Sequence, residues 1–186
     1  MKRVAGTKVH RDMGKRIFFL TLCLFLFVSV AYGADPSYEL GFSPKGESLQ
    51  VILNGISSAT ESILVAAYSF TSKPISKALL AAHNRGVRVA VVADQKGNSA
   101  QYTAVNFLAN HRIPVRLNGR YTIMHHKFMI IDGKTIQIGS FNYSASAESK
   151  NAENVLLLKD VPSIAMEYTE EWKRLWCEGV DVKVNY

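Results

Sequence analysis

The residues of this chain best suited to chemistry are His125, Lys127, Ser140 and Asn142. Histidine and lysine one residue apart project to the same face of a β-strand, because successive side chains alternate sides. The apolar run Phe128, Met129, Ile130, Ile131 then reads as a buried strand, and Asp132-Gly133-Lys134 as a hairpin turn. A second strand over 135–138 returns to Gly139-Ser140-Phe141-Asn142, where Ser140 and Asn142 again share a face if the chain stays extended. Two antiparallel strands thus bring a nucleophile, a cation and two neutral hydrogen-bonding groups to one end of a sheet. With no second carboxylate beside them to hold a divalent ion, the cluster suits an anionic phosphate.

The elements that must position this cluster can be read along the chain. Strand-like runs fall at 38–42, 62–68, 87–93, 115–117, 127–131, 135–138 and 155–158. Leu49, Ile52, Leu53 and Ile56 repeat at helical spacing. So do Ile75, Leu79, Leu80 and Ala82, after Pro74 and before Gly86. Asn98 could cap a third helix through Val105 and Leu108 to Asn110, and Ser163 a last one through Met166, Trp172 and Trp176. Strands alternating with helices give an α/β class. The expected fold is a mixed, mostly parallel sheet sandwiched by helices.

The pattern His-x-Lys-x4-Asp-x6-Gly-Ser-x-Asn, met by His125, Lys127, Asp132, Gly139, Ser140 and Asn142, resembles the signature of the phospholipase D superfamily. Segments 41–44, 67–71, 85–87, 151–154 and 172–176 are similar to the small secreted bacterial endonucleases of that superfamily. The resemblance implies a phospholipase D-like fold in which His125 attacks phosphorus and forms a phosphohistidine. It also implies a site built from two copies of the signature. This chain has one, so the implied assembly is a homodimer with a shared site.

In that arrangement one His125 attacks while its mate protonates the leaving oxygen and then activates water. Lys127 and Asn142, counted as both catalytic and substrate-binding, hold the nonbridging oxygens. Glu153 matches a downstream carboxylate that orients the imidazole. Asp132 belongs to the catalytic signature but has opposite strand parity to His125, which favours a structural role. Ser140 is the remaining substrate-binding candidate; it could donate to phosphate or to neighbouring backbone. The resemblance implies neither metal nor cofactor.

Other residues carry plainer readings. His126 falls on the face opposite His125, and adjacent histidines diverge on a strand, which argues against a zinc pair. His83 and His111 end helical patterns, where they favour the helix dipole. Tyr68, Ser69 and Phe70 end a central strand and could line the pocket; core packing accounts for the two aromatics nearly as well. Trp172 and Trp176, four apart on a helix, read as core.

Residues 1–33 have the layout of a secretory signal: a basic stretch ending at Lys15-Arg16, an apolar run over 17–31, and small residues at Ala31 and Gly33. Cleavage is expected after Gly33, with a retained anchor as the alternative and Met13 as an alternative start. The product is expected in the periplasm or outside the cell. Loss of Lys2, Arg3, Lys8, Arg11, Lys15, Arg16 and Asp12 lowers Lys plus Arg from 22 to 16 and Asp plus Glu from 15 to 14, so the net charge falls from +7 to +2. Overall basicity is therefore no argument for nucleic acid. Any basic footprint must be local, from Arg112, Arg116, Arg120, Lys127, Lys134 and Lys150. Cys177 would remain without an intrachain partner, and is expected on the apolar side of the last helix.

The expected activity is metal-independent hydrolysis of DNA or RNA phosphodiester bonds. A phospholipase D acting on phospholipid headgroups is the alternative, since the bond chemistry is the same. A noncatalytic nucleic-acid binder is disfavoured, because binding needs cations but no nucleophile.

Overall fold

The computed structural model describes residues 35–100 and 103–182; the expected signal segment lies outside them. In chain order, strand β1 (Ser37–Ser43) leads to helix α1 (Glu47–Ser58), β2 (Ser62–Ala67), α2 (Lys73–Asn84) and β3 (Arg88–Asp94). Helix α3 (Ala104–Asn110), β4 (Val115–Asn118) and the hairpin of β5 (Lys127–Ile131) and β6 (Thr135–Gly139) follow. The chain continues through α4 (Ala145–Ser149), β7 (Glu153–Lys159), α5 (Pro162–Glu178) and β8 (Val180–Asp181).

The strands form one sheet in the order β1-β7-β6-β5-β2-β3-β4-β8. It is mixed, as expected, but the expectation of mostly parallel pairing is corrected: only β2 with β3 and β3 with β4 run parallel, and the other described junctions are antiparallel. The helical crossovers account for β2, β3 and β4. The β5–β6 hairpin is antiparallel because its short turn can join only antiparallel neighbours, and β7, β1 and β8 are also antiparallel to the strands beside them.

Helices cover both faces. Val65, Ala67, Val91, Met129 and Ile131 meet the buried sides of α1, α2 and α3, while Ala66, Val92, Phe128 and Ile130 meet Ala165, Trp172 and Leu175 of α5. Neighbouring residues of one strand feed different cores, as the period of two requires. Trp172 is buried, and its indole N–H donates to the Val65 carbonyl at 2.9 Å. Trp176 stacks on it with ring centroids 4.8 Å apart, so both tryptophans belong to the core.

Three local expectations are corrected. Helix α3 is capped by Thr103, whose hydroxyl accepts from Asn106 N, and not by Asn98. Helix α5 opens on Pro162 after Val161, which places Ser163 inside the first turn and leaves it no capping role. Cys177 is exposed, because the buried stripe of α5 runs through Ala165, Trp172 and Leu175 and turns away from position 177.

This topology concentrates chain ends. Ala67 at the end of β2 pairs with Lys127 at the start of β5, and Ser43 at the end of β1 pairs with Glu153 at the start of β7. Gly139, the last residue of β6, pairs with Val155. A Cβ at Gly139 would collide with the Asn154 carbonyl, so only glycine lets the two backbones approach this closely.

Candidate active site

Lys127 opens β5 on the face of Met129 and Ile131, as its parity requires, and is only 8% exposed. Its ammonium turns back to donate to the His125 carbonyl at 2.7 Å and lies 5.1 Å from the centre of the Tyr68 ring. The same ring meets the His125 imidazole edge-on, with centroids 4.6 Å apart. Tyr68 therefore forms a wall shared by the imidazole and the ammonium.

Electrostatics favours a neutral imidazole. Burial lowers the His125 pKa first and Lys127 lowers it further; Asp94 opposes both, His126 adds to the lowering, and the net result lies below the ordinary value of 6.5. Burial also pulls the Lys127 ammonium down, with the Glu153 carboxylate acting to hold it up. A histidine that loses its proton more readily is a readier nucleophile.

The segment after β6 is held by what it buries. Phe141 and Tyr143 are fully buried; the Tyr143 hydroxyl donates to Gln137 Oε1 at 2.7 Å, and its carbonyl accepts from Thr71 N and Ser72 N. Alternation then leaves Ser140 and Asn142 out of the core. The Asn142 Oδ1 atom is buried and has no hydrogen-bond partner among the described residues. A buried acceptor without a donor is costly; of the two amide atoms of Asn142, only the nitrogen can donate to a phosphate oxygen.

Glu153 is fixed by two donors: Ser140 Oγ at 2.5 Å and Asn151 Nδ2 at 2.9 Å. Ser140 Oγ in turn accepts from Asn154 N at 3.1 Å. Ser140 thus spends its proton on a carboxylate, where phosphate or backbone had been the alternatives. The structure brings His125, Lys127, Asn142, Ser140 and Glu153 to one end of the sheet.

Asp132 is not brought there. It lies past the far end of β5, where its carboxylate accepts from Thr60 N, Thr60 Oγ1, Glu61 N and Ser62 N at 2.8–2.9 Å. The strand of five residues between it and the site spans about 16 Å at the rise of an extended chain. As a catalytic group Asp132 is therefore corrected to an anchor for the loop entering β2. His126 points to the other face, with Nε2 3.3 Å from a Glu171 carboxylate oxygen. Of the basic candidates, Arg116 pairs with Asp181 and Lys134 with Asp160, and Arg120 lies 3.7 Å from Glu178.

Two supporting residues escaped the sequence reading. Asp94 is 1% exposed; its carboxylate accepts from Gly97 N at 2.6 Å and from Met124 N, next to His125, at 2.7 Å. Asn98 donates to the carbonyls of Tyr68 and Asp94 and accepts from Phe70 N at 2.9 Å. Together they tie the Tyr68 loop and the His125 segment to the end of β3. An acid closing an apolar strand, followed by Gly97-Asn98, was the available signal.

A mixed sheet in this order, carrying His-x-Lys and Asn at one end, places the protein in a recognisable class: the chain belongs to the phospholipase D superfamily. The family model described as "Cardiolipin synthase, PLD-like domain" matches residues 52–176. The crystal structure of the phospholipase D family member Nuc from Salmonella typhimurium aligns with a TM-score of 0.79 and 40% identity, covering 80% of this chain and 99% of that one. A phospholipase D of Rickettsia conorii is 34% identical over 131 residues, 70% of this chain and 65% of the relative. A mitochondrial cardiolipin hydrolase of Chlamydomonas reinhardtii is 33% identical over 135 residues, 73% of this chain and 60% of the relative. The matched part thus spans somewhat under two thirds of each of these two curated relatives.

Proposed function

We propose that the protein is a metal-independent phosphodiesterase that cuts nucleic-acid strands, DNA or RNA, through a covalent phosphohistidine at a site shared by two copies of the chain. The observation that carries this reading is the His125–Lys127–Asn142 arrangement: an imidazole with a lowered pKa, an ammonium held against its carbonyl, and an amide at the same end of the sheet whose nitrogen can donate to phosphate.

A ring nitrogen of His125 attacks phosphorus, the bond to the leaving oxygen breaks, and the second copy's His125 supplies that oxygen with a proton. The second imidazole then takes a proton from water, whose oxygen attacks phosphorus and breaks the P–N bond. Lys127 balances negative charge on the nonbridging oxygens, the role a metal ion would otherwise fill. A second copy is invoked because the chain's other signature-region histidine, His126, faces away toward Glu171.

The likeness of segments 41–44, 67–71 and 151–154 to small bacterial endonucleases supports nucleic acid as substrate. A second reading, phospholipid as substrate, is favoured by the names of the curated relatives and by one structural feature. Tyr38, Leu40 and Phe42 form an exposed apolar row, 67%, 51% and 53% accessible, on edge strand β1. The reading also includes export through the N-terminal leader to the periplasm or beyond.

One assay separates the substrates: purified protein is incubated, with EDTA present, with plasmid DNA and separately with cardiolipin or phosphatidylcholine vesicles. Chelator-resistant nicking is expected. Lipid turnover without nicking would transfer the assignment to the second reading.

A further inference from the structure

Beside the nucleophile lies a cleft that the chemistry above does not use. Its volume is about 330 Å³, and it is lined by Asp94, Gln95, Lys96, Ser99, Gly119 and Tyr121. It opens at the carboxyl ends of the parallel strands β3 and β4, the end of the strands at which open α/β sheets bind ligands. A smaller hollow of about 120 Å³, walled in part by Met124, His125 and His126, shares Tyr121 with it. The cleft and the nucleophile are therefore neighbours across one aromatic residue.

Its walls suit an uncharged ring with hydrogen-bonding edges. The volume is near the lower end of the range for small-ligand sites, about 300–1,000 Å³, room for one nucleoside. Both oxygens of Asp94 are already taken by Gly97 N and Met124 N, and the charge it leaves at the floor opposes entry of a phosphate. The Gln95 carboxamide lies over Gly119 and makes no side-chain hydrogen bond among the described residues. It thus presents a donor and an acceptor together, the pair that reads a base edge. Gly119 keeps the space open, since a Cβ there would run into Gln95 Oε1.

Tyr121 is a fixed wall: its hydroxyl donates to Glu178 at 2.8 Å, and the Arg174 guanidinium lies 5.6 Å from its ring centre. At the rim the Lys96 ammonium donates to the Thr122 carbonyl at 3.2 Å and, among the described residues, makes no ion pair, so it can meet a flanking phosphate.

We infer that this cleft is a nucleoside subsite, which takes the base next to the scissile phosphate while Lys96 meets the following phosphate. The inference rests on the nucleic-acid reading of the active site. It assigns to Gln95 and Gly119 a part in substrate preference and none in bond breaking.

The test compares wild type, Gln95→Ala and Gly119→Leu on a short single-stranded oligodeoxynucleotide and on bis(para-nitrophenyl) phosphate, which carries no base edge for Gln95 to read. The KM for the oligonucleotide should rise about fivefold or more in both variants, the low end of what losing one base contact costs. The kcat/KM for the small diester should stay within about twofold. Unchanged oligonucleotide kinetics in both variants, or equal loss on both substrates, would overturn the subsite while leaving the active-site reading intact. Wild type that hydrolyses the small diester and leaves the oligonucleotide whole would overturn both.

Discussion

The ammonium of Lys127 donates to the carbonyl of His125 across 2.7 Å, so the cation of the site is latched to the backbone of the proposed nucleophile. That bond, with the Tyr68 ring against both side chains, sets the spacing of the pair before any substrate arrives. Asp94 completes the frame from below by holding Met124 N. The cost of orienting imidazole and ammonium is met during folding, which under the proposed mechanism shortens the approach to the transition state.

Lys127→Met should raise the His125 pKa toward its ordinary value of 6.5, because Lys127 is the second cause of the lowering, after burial. The neutral, nucleophilic imidazole would then prevail only at higher pH. NMR titration of the His125 ring measures this. A midpoint that stays put or moves down would remove Lys127 from the electrostatics of the nucleophile.

Asn142→Ala should lower kcat about 100- to 1,000-fold, as loss of one oxyanion-stabilising group does. Its thermal midpoint should hardly change, because the Oδ1 atom that disappears has no hydrogen bond to lose among the described residues. Thermal unfolding alongside kinetics decides the matter. A large fall in stability would mean that Asn142 serves the fold.

Asp132→Ala should show the opposite profile. Burial alone would raise the carboxyl pKa, yet the N–H groups of Ser62, Thr60 and Glu61 and the Thr60 hydroxyl hold it below its ordinary value of 3.8. A depressed folded-state pKa means that the contribution to stability is full above the ordinary carboxylate range and is lost as pH falls through the lowered value. At neutral pH the substitution should cost about 2–3 kcal/mol, typical of hydrogen bonds to a charged group. The midpoint should drop by roughly 4–12 °C, with kcat per folded molecule close to wild type. Equal stability at neutral pH would contradict the anchor role.

Mixed dimers of wild-type and His125→Ala chains should retain less than about a tenth of wild-type activity, since attack and proton transfer need two imidazoles. Tandem-tag purification isolates the mixed species. Half of the wild-type rate would show that each copy works alone.

The site was legible wherever a period of two governs. Parity put Lys127 beside His125 and turned His126 away, and the length of β5 set Asp132 apart at the far end of the strand. What stayed hidden depends on contacts between distant segments. Asp94 lies 30 positions from its partner Met124, and Asn98 lies 28 from Phe70. No local pattern reports such pairs. Strand β8 has two residues and exists only because Arg116 and Leu117 offer an edge to pair with. Cys177 was misplaced for a different reason: on a helix as amphipathic as α5, stepping one residue from Trp176 crosses from the half-buried flank into solvent. The balance of parallel and antiparallel pairing was equally out of reach, because it depends on where the returning strands insert.

The central claim is that phosphorus is transferred first to His125 and then to water. Each in-line displacement inverts the configuration at phosphorus, so two in succession restore it. Cleavage of a dinucleoside phosphorothioate of known configuration in oxygen-18 water, followed by assignment of the product's chirality, reads this directly. Retention is the result expected of a phosphohistidine route; inversion would mean that water attacks phosphorus directly and would contradict the account.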